Sequence, residues 1–401
     1  MLSSGNFWLP HCKVFISEEL IMITRSVWIL SLVSLFTDIA SEMLYPILPI
    51  YLQSIGFSVL FIGILEGIAE ALAGLSKGYF GRLSDSYGKR LPFVQIGYAI
   101  SAIAKPLLVT WNLPLWVFII RSADRLGKGI RTGARDALLS DESTKENKGK
   151  VFGFHRGMDT FGACVGPSLA LIYLYFFPQN YKGLFLFAFF PGAIAITFTF
   201  FIKEKAKDSS KRTVKSSLWN FFTTSPVEYK NLILGLLLFS LLNSSDVFLL
   251  LRLKEIGISD TQIVLVYIFY NLVYAVFSYP MGYLGDKIGL KKTFIIGLIL
   301  FSLVYLGMGH GGNFYFYLFL FSLYGIFAAS TEGISKAWIT NICPKESASA
   351  IGLYSGLNSI SALIASSLAG LIWMNLGAES LFYMVGFGVF LVSIYFTKIK
   401  E

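Results

Sequence analysis

Long apolar stretches alternate with short polar stretches along almost the whole chain. A helix that spans a membrane needs about 20 mainly apolar residues, and twelve stretches meet this length if some internal charge is tolerated. They form two groups of six, near 27–51, 60–80, 92–112, 115–139, 151–177 and 183–202, and then 231–251, 261–283, 293–309, 314–341, 346–373 and 379–397. The pattern predicts an all-α integral membrane protein with twelve transmembrane helices in two six-helix bundles.

A basic, polar linker, KEKAKDSSKRTVKSSLWNFFTTSPVEYK, separates the two groups. The predicted order is an N-terminal segment, a first bundle, the linker, a second bundle and a tail, at 1–26, 27–202, 203–230, 231–397 and 398–401. Lys and Arg are abundant in the linker and in the loops RLSDSYGKR, DESTKENKGK and DKIGLKK, but rare in the alternate loops. Because cytoplasmic loops collect Lys and Arg, we expect the linker and both termini to be cytoplasmic, in a multi-pass protein of the bacterial inner membrane.

The N-terminus does not have the form of a cleaved signal peptide. Its first 25 residues are only mildly apolar, and the apolar run that begins at Val27 contains Asp38 and Glu42. A signal-peptide core does not tolerate such charges, so we expect this run to be retained as the first membrane helix. Residues 1–21 are a candidate start-site extension, because Met22 would give a short basic lead-in.

Composition narrows the classes of function. The chain is 55% hydrophobic and 14% charged, whereas ordinary soluble domains carry about 25% charge. The net charge of +9 is therefore interpreted as fixing the orientation of the helices in the membrane, and no nucleic-acid partner is expected. The three cysteines have no metal-ligand spacing and no nucleotide-binding loop is present. GLSKG, from Gly74, matches a serine-hydrolase pattern but lacks its strand–turn–helix context, so we expect a packing seam there and not an enzyme active site. We also expect no metal and no cofactor.

The two halves resemble each other. The stretch that begins with IGFSVLFIGILEG at Ile55 aligns without a gap with the stretch that begins with IGISDTQIVLVYI at Ile256. Continuing this alignment along the chain superposes Gly81 on Gly282, Asp85 on Asp286, and Gly88 on Gly289. Internal duplication of a six-helix unit is typical of transporters, whose substrate sites form between the repeats near the membrane midplane.

The loop GRLSDSYGKR carries the residues of a known family. It resembles the major facilitator superfamily motif G-x-L-x-D-x-x-G-R/K-R/K, which it fits at Gly81, Leu83, Asp85, Gly88, Lys89 and Arg90. A degenerate copy, GYLGDKIGLKK, supplies Gly282, Leu284, Asp286, Gly289 and Lys291, with Leu290 at one basic position. The resemblance implies a monomeric transporter with this fold and a gating loop that holds the cytoplasmic side closed. The alternative is a basic turn that only fixes topology.

Charged residues of the fourth segment follow the helical period. At about 100° per residue, a stripe about 140° wide contains Arg121, Asp124, Arg125, Lys128, Arg131, Arg135 and Asp136. A soluble loop has no reason to follow this period, so the segment is predicted to be a membrane helix whose charged stripe faces the bundle interior. RLGKG, from Arg125, also resembles the superfamily's helix-4 motif R-x-x-Q-G, associated with proton coupling, with Lys128 where Gln is common.

The fifth segment adds a second partial motif. Gly162, Gly166 and Pro167 resemble the first part of the antiporter motif G-x-x-x-G-P-x-x-G-G, whose final pair is replaced by Ala170 and Leu171. The resemblance implies the drug or small-solute:proton antiporter branch, and hence export. A small-residue packing seam with a proline kink is expected in either case.

Further charges lie inside the predicted helices of the N-terminal half. A charge at a helix centre costs roughly 2.5–3.5 kcal/mol, so these groups are expected to pair or to face a wet cavity. The candidate proton-coupling and substrate residues are Asp38, Glu42, Glu66, Glu70, Arg121, Asp124, Arg125, Lys128, His155, Arg156 and Asp159. Arg135 and Asp136 are expected to lie at the cytoplasmic interface and to anchor the fourth helix.

The second half lacks most of these charges. In the repeat register, Glu42, Glu66, Glu70, His155 and Asp159 correspond to Asn243, Tyr267, Asn271, Tyr354 and Asn358. Its remaining candidates within the membrane are Asp246, Glu332 and Lys336. We therefore predict that the N-terminal half does the ion work, while the C-terminal half offers polar and aromatic contacts.

These features predict a secondary active transporter that works by alternating access. The expected activity is proton-coupled efflux of a small organic solute, with Asp38, Glu42 or the Glu66/Glu70 pair as the proton carrier and Arg121 and Arg125 as its partners. The bilayer, protons and the solute are the expected partners, and the proton gradient is the energy source. A proton-coupled uptake symporter and a non-transporting receptor or assembly protein are the alternatives.

Overall fold

The computed structural model of the chain describes residues 23–45, 47–57, 59–204 and 218–399. The candidate start-site extension at 1–21 and the middle of the predicted linker, 205–217, lie outside the described residues. Within the described ranges the chain folds into α-helices joined by short turns, and six helices are long and apolar enough to cross a membrane by length and composition alone.

The described part of the N-terminal half contains eight helices. They are α1 (Arg25–Glu42), α2 (Leu48–Ser54), α3 (Val59–Tyr87), α4 (Leu91–Leu107), α5 (Pro114–Asp141), α6 (Lys148–Phe176), α7 (Tyr181–Phe187) and α8 (Phe189–Thr199). Helix α1 begins after Thr24, whose hydroxyl accepts a hydrogen bond from the Val27 amide. This side-chain cap satisfies one of the free amides of the first turn.

The C-terminal half repeats this plan after a short helix in the linker. Its described helices are α9 (Leu218–Thr224), α10 (Val227–Ser240), α11 (Val247–Glu255), α12 (Asp260–Ile288), α13 (Leu290–His310), α14 (Phe314–Ile342) and α15 (Ser347–Lys398). Gly377, with φ of 84°, divides α15 into two helical stretches, which correspond to the last two predicted helices. The twelve spanning segments predicted from the sequence are thus accounted for as single or broken helices.

Several predicted helices differ from the observed ones. The first predicted helix, 27–51, stops at Glu42 and resumes at Leu48, and the seventh, 231–251, is interrupted between Ser240 and Val247. The two breaks occupy corresponding places in the two repeats. Irregular backbone at membrane depth is tolerated where it lines a cavity, and an apolar window averages over such a break.

Two further boundaries need correction. The predicted linker, 203–230, contains α9 and also the first residues of α10, which begins at Val227. Pro226 caps this helix, and proline is disfavoured in the interior of a helix. The sixth predicted helix, 183–202, is observed as α7 and α8.

The two motif loops turn at glycines in the left-handed region. Gly88 joins α3 to α4 with φ of 66°, and Gly289 joins α12 to α13 with φ of 101°. A side chain at either position would be strained. Both loops lie on one face of the molecule, which we call the motif face. Between the halves, α6 packs along α12 and α3 packs along α15.

Candidate functional site

A cavity of about 460 Å³ lies between the two halves, and we call it the central cavity. The N-terminal half lines it with a charged wall, formed by Asp38, Glu42, Lys77, Lys128, Arg131, Arg135, Arg156 and Asp159. The C-terminal half lines it with an aromatic wall, formed by Phe239, Tyr267, Tyr270, Tyr274, Phe294, Phe327 and Tyr354, together with the charged Asp246, Glu332 and Lys336.

Asp159 of α6 is the most heavily contacted acid of the charged wall. Its carboxylate accepts a hydrogen bond of 2.5 Å from Ser34 Oγ of α1 and one of 2.7 Å from Nη1 of Arg156. Arg135 of α5 reaches the same place, since its Nη1 lies 3.1 Å from Ser34 Oγ and 4.0 Å from Asp159 Oδ1. Charge-assisted bonds of this kind are strong when they are shielded from water, so three helices of one half meet at this carboxylate.

Asp38 lies beside Asp159. The two acids interact with each other, and Lys128 and Glu42 are the other charged neighbours of Asp38. The sequence places Asp38 and Glu42 one helical turn apart on α1, so both side chains point to the same side. The structure thus brings five of the predicted residues together in the central cavity: Asp38, Glu42, Lys128, Arg156 and Asp159.

The glycines of the antiporter-like motif explain why α1 and α6 approach so closely. A Cβ added at Gly162 would lie 2.7 Å from the Leu35 carbonyl oxygen, and one added at Gly166 would lie 2.8 Å from that of Ile39. Gly162 follows Asp159 by one turn of the helix, so the seam holds Asp159 against α1. Pro167 lies inside α6 just after this seam.

Charges also cross between the halves. Arg156 donates through Nε to the hydroxyl of Tyr274, and its Nη2 lies 3.7 Å from Glu332. Asp136 of α5, fully buried, lies 2.8 Å from Lys336 Nζ of α14 and 2.9 Å from Arg135 Nη2. The expectation that Arg135 and Asp136 only anchor α5 at a membrane interface is therefore wrong, because both belong to a buried network that joins the halves.

A smaller cavity, the side cavity, lies within the N-terminal half. Its charged lining residues are Glu42, Lys105, Arg121, Asp124 and Arg125. Arg121 Nη1 lies 3.0 Å from Asp124, and Lys105 Nζ lies 3.9 Å from the same carboxylate. Glu42 lines both cavities. Four of the predicted residues, Glu42, Arg121, Asp124 and Arg125, thus line the side cavity. Of these four, Glu42 also lines the central cavity.

One described candidate, His155, stands apart from these groups. His155 is buried, and its Nδ1 lies 3.4 Å from Ser31 Oγ, whereas its Nε2 has no hydrogen-bond partner in the described part of the chain. It does not line the central cavity. The side chains of Glu66 and Glu70 lie outside the described residues.

At the motif face, Asp85 of the first motif loop holds the start of α15. Its Oδ2 accepts hydrogen bonds from the backbone amide and the hydroxyl of Ser349, at 2.8 and 2.9 Å. Arg90 pairs with Asp85 at 3.0 Å and also with Asp141, while Lys89 is exposed. The carboxylate thus satisfies a free amide at a helix N-terminus, where negative charge is favoured.

Asp286 of the second motif loop makes the equivalent contact in the opposite direction. Its two carboxylate oxygens accept from the backbone amides of Gly149 and Lys150, at 2.7 and 2.8 Å, at the start of α6. Lys291 does not join this contact in the way that Arg90 does, because it donates to the carbonyls of Thr397 and Ile399. Each half therefore holds a helix N-terminus of the other half at this face.

The first glycine of each motif lets the halves touch. A Cβ added at Gly81 would lie 2.5 Å from the Ala348 carbonyl oxygen, and one added at Gly282 would meet the backbone of Gly149. Because neither glycine has a side chain, the backbones of the two halves can touch at the motif face. A side chain at either position would push the halves apart.

The sequence named Asp246 and Lys336 as candidates within the membrane but gave neither a partner, and it did not single out Tyr270. Asp246 follows the break between α10 and α11, in the polar run NSSD within an apolar segment, and Tyr324 donates to it at 2.7 Å. That polar run was a usable signal. Tyr270 carried no signal, because aromatic residues are common throughout the chain. The partner of Lys336 could not be foreseen, because it lies in the other half.

Comparisons with known proteins agree with this architecture. The family model of the Major Facilitator Superfamily matches residues 30–254 and 247–401. An uncharacterized MFS-type transporter of Methanocaldococcus jannaschii is 35% identical over 359 residues, which cover 88% of this chain and 89% of that protein. A Lactococcus lactis homolog of the multi-drug resistance efflux pump PmrA is 23% identical, over 86% of this chain and 87% of its own.

A solved structure shares the fold. The crystal structure of the human organic anion transporter MFSD10 superposes with a TM-score of 0.78 at 17% identity, over 93% of this chain and 99% of that one. With two bundles, duplicated motif loops, a cavity between the halves and family matches that extend over nearly the whole length, this multi-pass membrane protein is a transporter of the major facilitator superfamily.

Proposed function

We propose that the protein exports a small organic solute in exchange for protons, and that its motif face lies in the cytoplasm. One observation carries the coupling: Asp38 and Asp159, two acids that interact with each other, line the same cavity. Ionised carboxylates only accept hydrogen bonds and repel each other, so such a pair favours a proton on one of its members. When that proton leaves, two like charges remain side by side, which is unfavourable in a shielded site.

The neighbours of this acid pair favour Asp38 as the proton carrier. Asp159 is paired with Arg156 and accepts a hydrogen bond from the Ser34 hydroxyl, whereas Asp38 forms no ion pair with Arg or Lys among the described residues and has Lys128 only as a charged neighbour. Asp38 lines the central cavity, so its proton can be exchanged from there. Glu42, one turn further along α1, extends the acidic surface to the side cavity.

Alternating access supplies the exchange of sides. Contacts of Asp85 and Asp286 hold the motif face shut, and the basic residues of the two motif loops support a cytoplasmic position for that face. In this state the central cavity is separated from the cytoplasm. Opening requires that both helix N-termini leave their carboxylates, and a change of charge in the cavity biases that equilibrium.

The direction of transport is inferred from relatives and motif. PmrA-type proteins are named as multi-drug resistance efflux pumps, and the Gly162–Pro167 seam resembles an antiporter motif. Both support export, and the same comparisons favour the drug/proton branch of the family.

Everted membrane vesicles test the coupling. With an acidified lumen and a fluorescent pH probe, organic anions, zwitterions and lipophilic cations are added one at a time to vesicles that contain the wild type, Asp38→Asn or the matched control Glu228→Gln. Glu228 lies exposed in the first turn of α10, away from both cavities.

We expect at least one compound to dissipate the lumenal acidity in the wild type and the control, but not in Asp38→Asn. Dissipation by Asp38→Asn at the wild-type rate would refute the assignment of the proton. Alkalinisation of the external medium, with the compound entering together with protons, would replace antiport by symport.

A further inference from the structure

The aromatic wall carries an acid, Asp246, that no Lys or Arg of the described part of the chain neutralises. Asp246 lies just before α11, where its side chain makes no capping hydrogen bond to that helix. Its contact is with the hydroxyl of Tyr324, which donates to Oδ1 at 2.7 Å. Among the residues that the structure describes, no Lys or Arg lies within ion-pairing distance of Asp246, and its charged neighbour is another acid, Glu332.

The acids of the charged wall are placed differently. Asp159 is paired with Arg156 at 2.7 Å, and Lys128 is a charged neighbour of both Asp38 and Glu42. Even Glu332, on the aromatic wall, has Arg156 at 3.7 Å. An ionised carboxylate beside a cavity costs free energy unless a positive charge or several donors stabilise it. Asp246 is therefore the acid of the cavity that most needs a cation from outside the protein.

Tyrosine rings surround the approach to this acid. Tyr267, Tyr270 and Tyr274 lie on one side of α12, with adjacent ring centroids 6.1 Å apart in each case. The ring of Tyr324, which holds Asp246, is 5.1 Å from that of Tyr270. The face of an aromatic ring is electron-rich and attracts organic cations, most strongly where water is displaced.

We propose that Asp246 and these tyrosines form the subsite for the charged group of the substrate, and that the substrate is an organic cation with an apolar body. The inference rests on the proposed function, since it names the substrate of that same cavity. The cation and the proton then bind on opposite walls: the cation at Asp246 in the C-terminal half, and the proton at Asp38 in the N-terminal half. The two ligands do not compete for one carboxylate, and their coupling acts through the movement of the halves.

Two ions of the same shape and opposite charge provide the test. Tetraphenylphosphonium and tetraphenylborate are titrated by isothermal calorimetry into the full chain, reconstituted in nanodiscs, with empty nanodiscs subtracted. The variants are Asp246→Asn, Asp246→Glu, Tyr270→Phe and Tyr270→Leu. The matched control is Glu255→Gln, an acid at the far end of α11 that pairs with Arg252 and lies outside both cavities.

We expect saturable binding of tetraphenylphosphonium to the wild type and to Glu255→Gln. Asp246→Asn should bind it about tenfold more weakly, because a charge-assisted contact is lost, and Asp246→Glu should recover part of the affinity. Tyr270→Leu should weaken binding more than Tyr270→Phe, which keeps the ring. Tetraphenylborate should bind more weakly than the cation to the wild type and should lose that disadvantage in Asp246→Asn.

Three results would overturn the subsite: no saturable binding of the cation, equal affinity of Asp246→Asn and the wild type, or equal weakening by Asn and Glu at position 246. The last would assign Asp246 to packing. Because calorimetry without a gradient measures binding alone, cation binding without proton flux in vesicles would refute the proposed function and leave the subsite standing. Proton flux driven only by anions would do the reverse.

Discussion

The two walls of the central cavity arise from equivalent parts of a repeated fold, yet they hold different chemistry. On the charged wall, Asp159 is surrounded by Arg156, Arg135 and Ser34. The residue that corresponds to Asp159 on the aromatic wall is Asn358, which also lines the cavity. At the motif face the halves remain alike, because Asp85 and Asp286 each bind a helix N-terminus of the opposite half.

The difference shows which duties the repeat must share. Closing a face between two halves requires matched contacts from both, so the motif carboxylates and glycines occur twice. Under the proposed function, one acid pair is enough to hold the proton, and a second copy would add the cost of further buried charge. One half can therefore carry fewer charges and more aromatic rings in the cavity, while the fold stays the same.

The largest effect on the free energy of unfolding is expected at the pair of equivalent positions that differ between the walls, Asp159 and Asn358. Asp159→Asn leaves Arg156 and Arg135 without their shared carboxylate, and breaking a buried pair in this way costs roughly 3–5 kcal/mol. Asn358→Ala, at the equivalent position of the other wall, should lower the free energy of unfolding by less than about 1 kcal/mol. Unfolding by sodium dodecyl sulfate in mixed micelles measures both.

The double variant Asp159→Asn/Arg156→Gln controls for the origin of that loss. It should recover part of the stability, since the stranded guanidinium is then gone. Equal losses in Asp159→Asn and Asn358→Ala would show that the two walls contribute alike, contrary to the comparison.

An intermediate and more symmetrical effect is expected at the motif face. Asp85→Asn and Asp286→Asn each replace a carboxylate that binds a helix N-terminus, and hydrogen bonds to a charged group contribute about 1.5–3 kcal/mol. Both should shift the population toward an open motif face. Asp85→Asn should do so more, because Arg90 also depends on Asp85, whereas Lys291 makes its contacts elsewhere.

Distances between spin labels at two exposed positions, Tyr87 and Lys345 on opposite halves, measure this shift by pulsed electron paramagnetic resonance. Glu346→Gln is the control, since Glu346 precedes α15 but makes no side-chain cap. An effect of Asp85→Asn without any effect of Asp286→Asn would mean that only one motif loop gates.

Much of the architecture could be predicted because it repeats along the chain. The twelve-helix fold is confirmed, since apolar length, loop charge and duplicated motifs are all local or periodic signals. The cross-half pair of Asp136 and Lys336 could not be foreseen, because its members lie in different bundles. The break after Glu42 was missed because mainly apolar residues continue through it, and the break after Ser240 because the short polar run NSSD was averaged into an apolar window. Only the folded cavity shows why the backbone can leave the helix at these places.

The smallest effect is expected where the two walls touch. Arg156 of the charged wall donates to the hydroxyl of Tyr274, and its guanidinium carbon lies 5.3 Å from the centroid of that ring. Tyr274→Phe removes the hydrogen bond but keeps the ring and the pairing with Asp159, so it should lower the free energy of unfolding by about 1 kcal/mol. Tyr274→Leu should cost more, since the cation–π contact is lost as well. A double-mutant cycle of Tyr274→Phe with Arg156→Gln isolates the hydroxyl contribution. If Tyr274→Phe lowered the free energy of unfolding as much as Asp159→Asn, then Tyr274 would stabilise Arg156 as strongly as Asp159 does. The distinction between a charged wall that binds Arg156 and an aromatic wall that only contacts it would then be wrong.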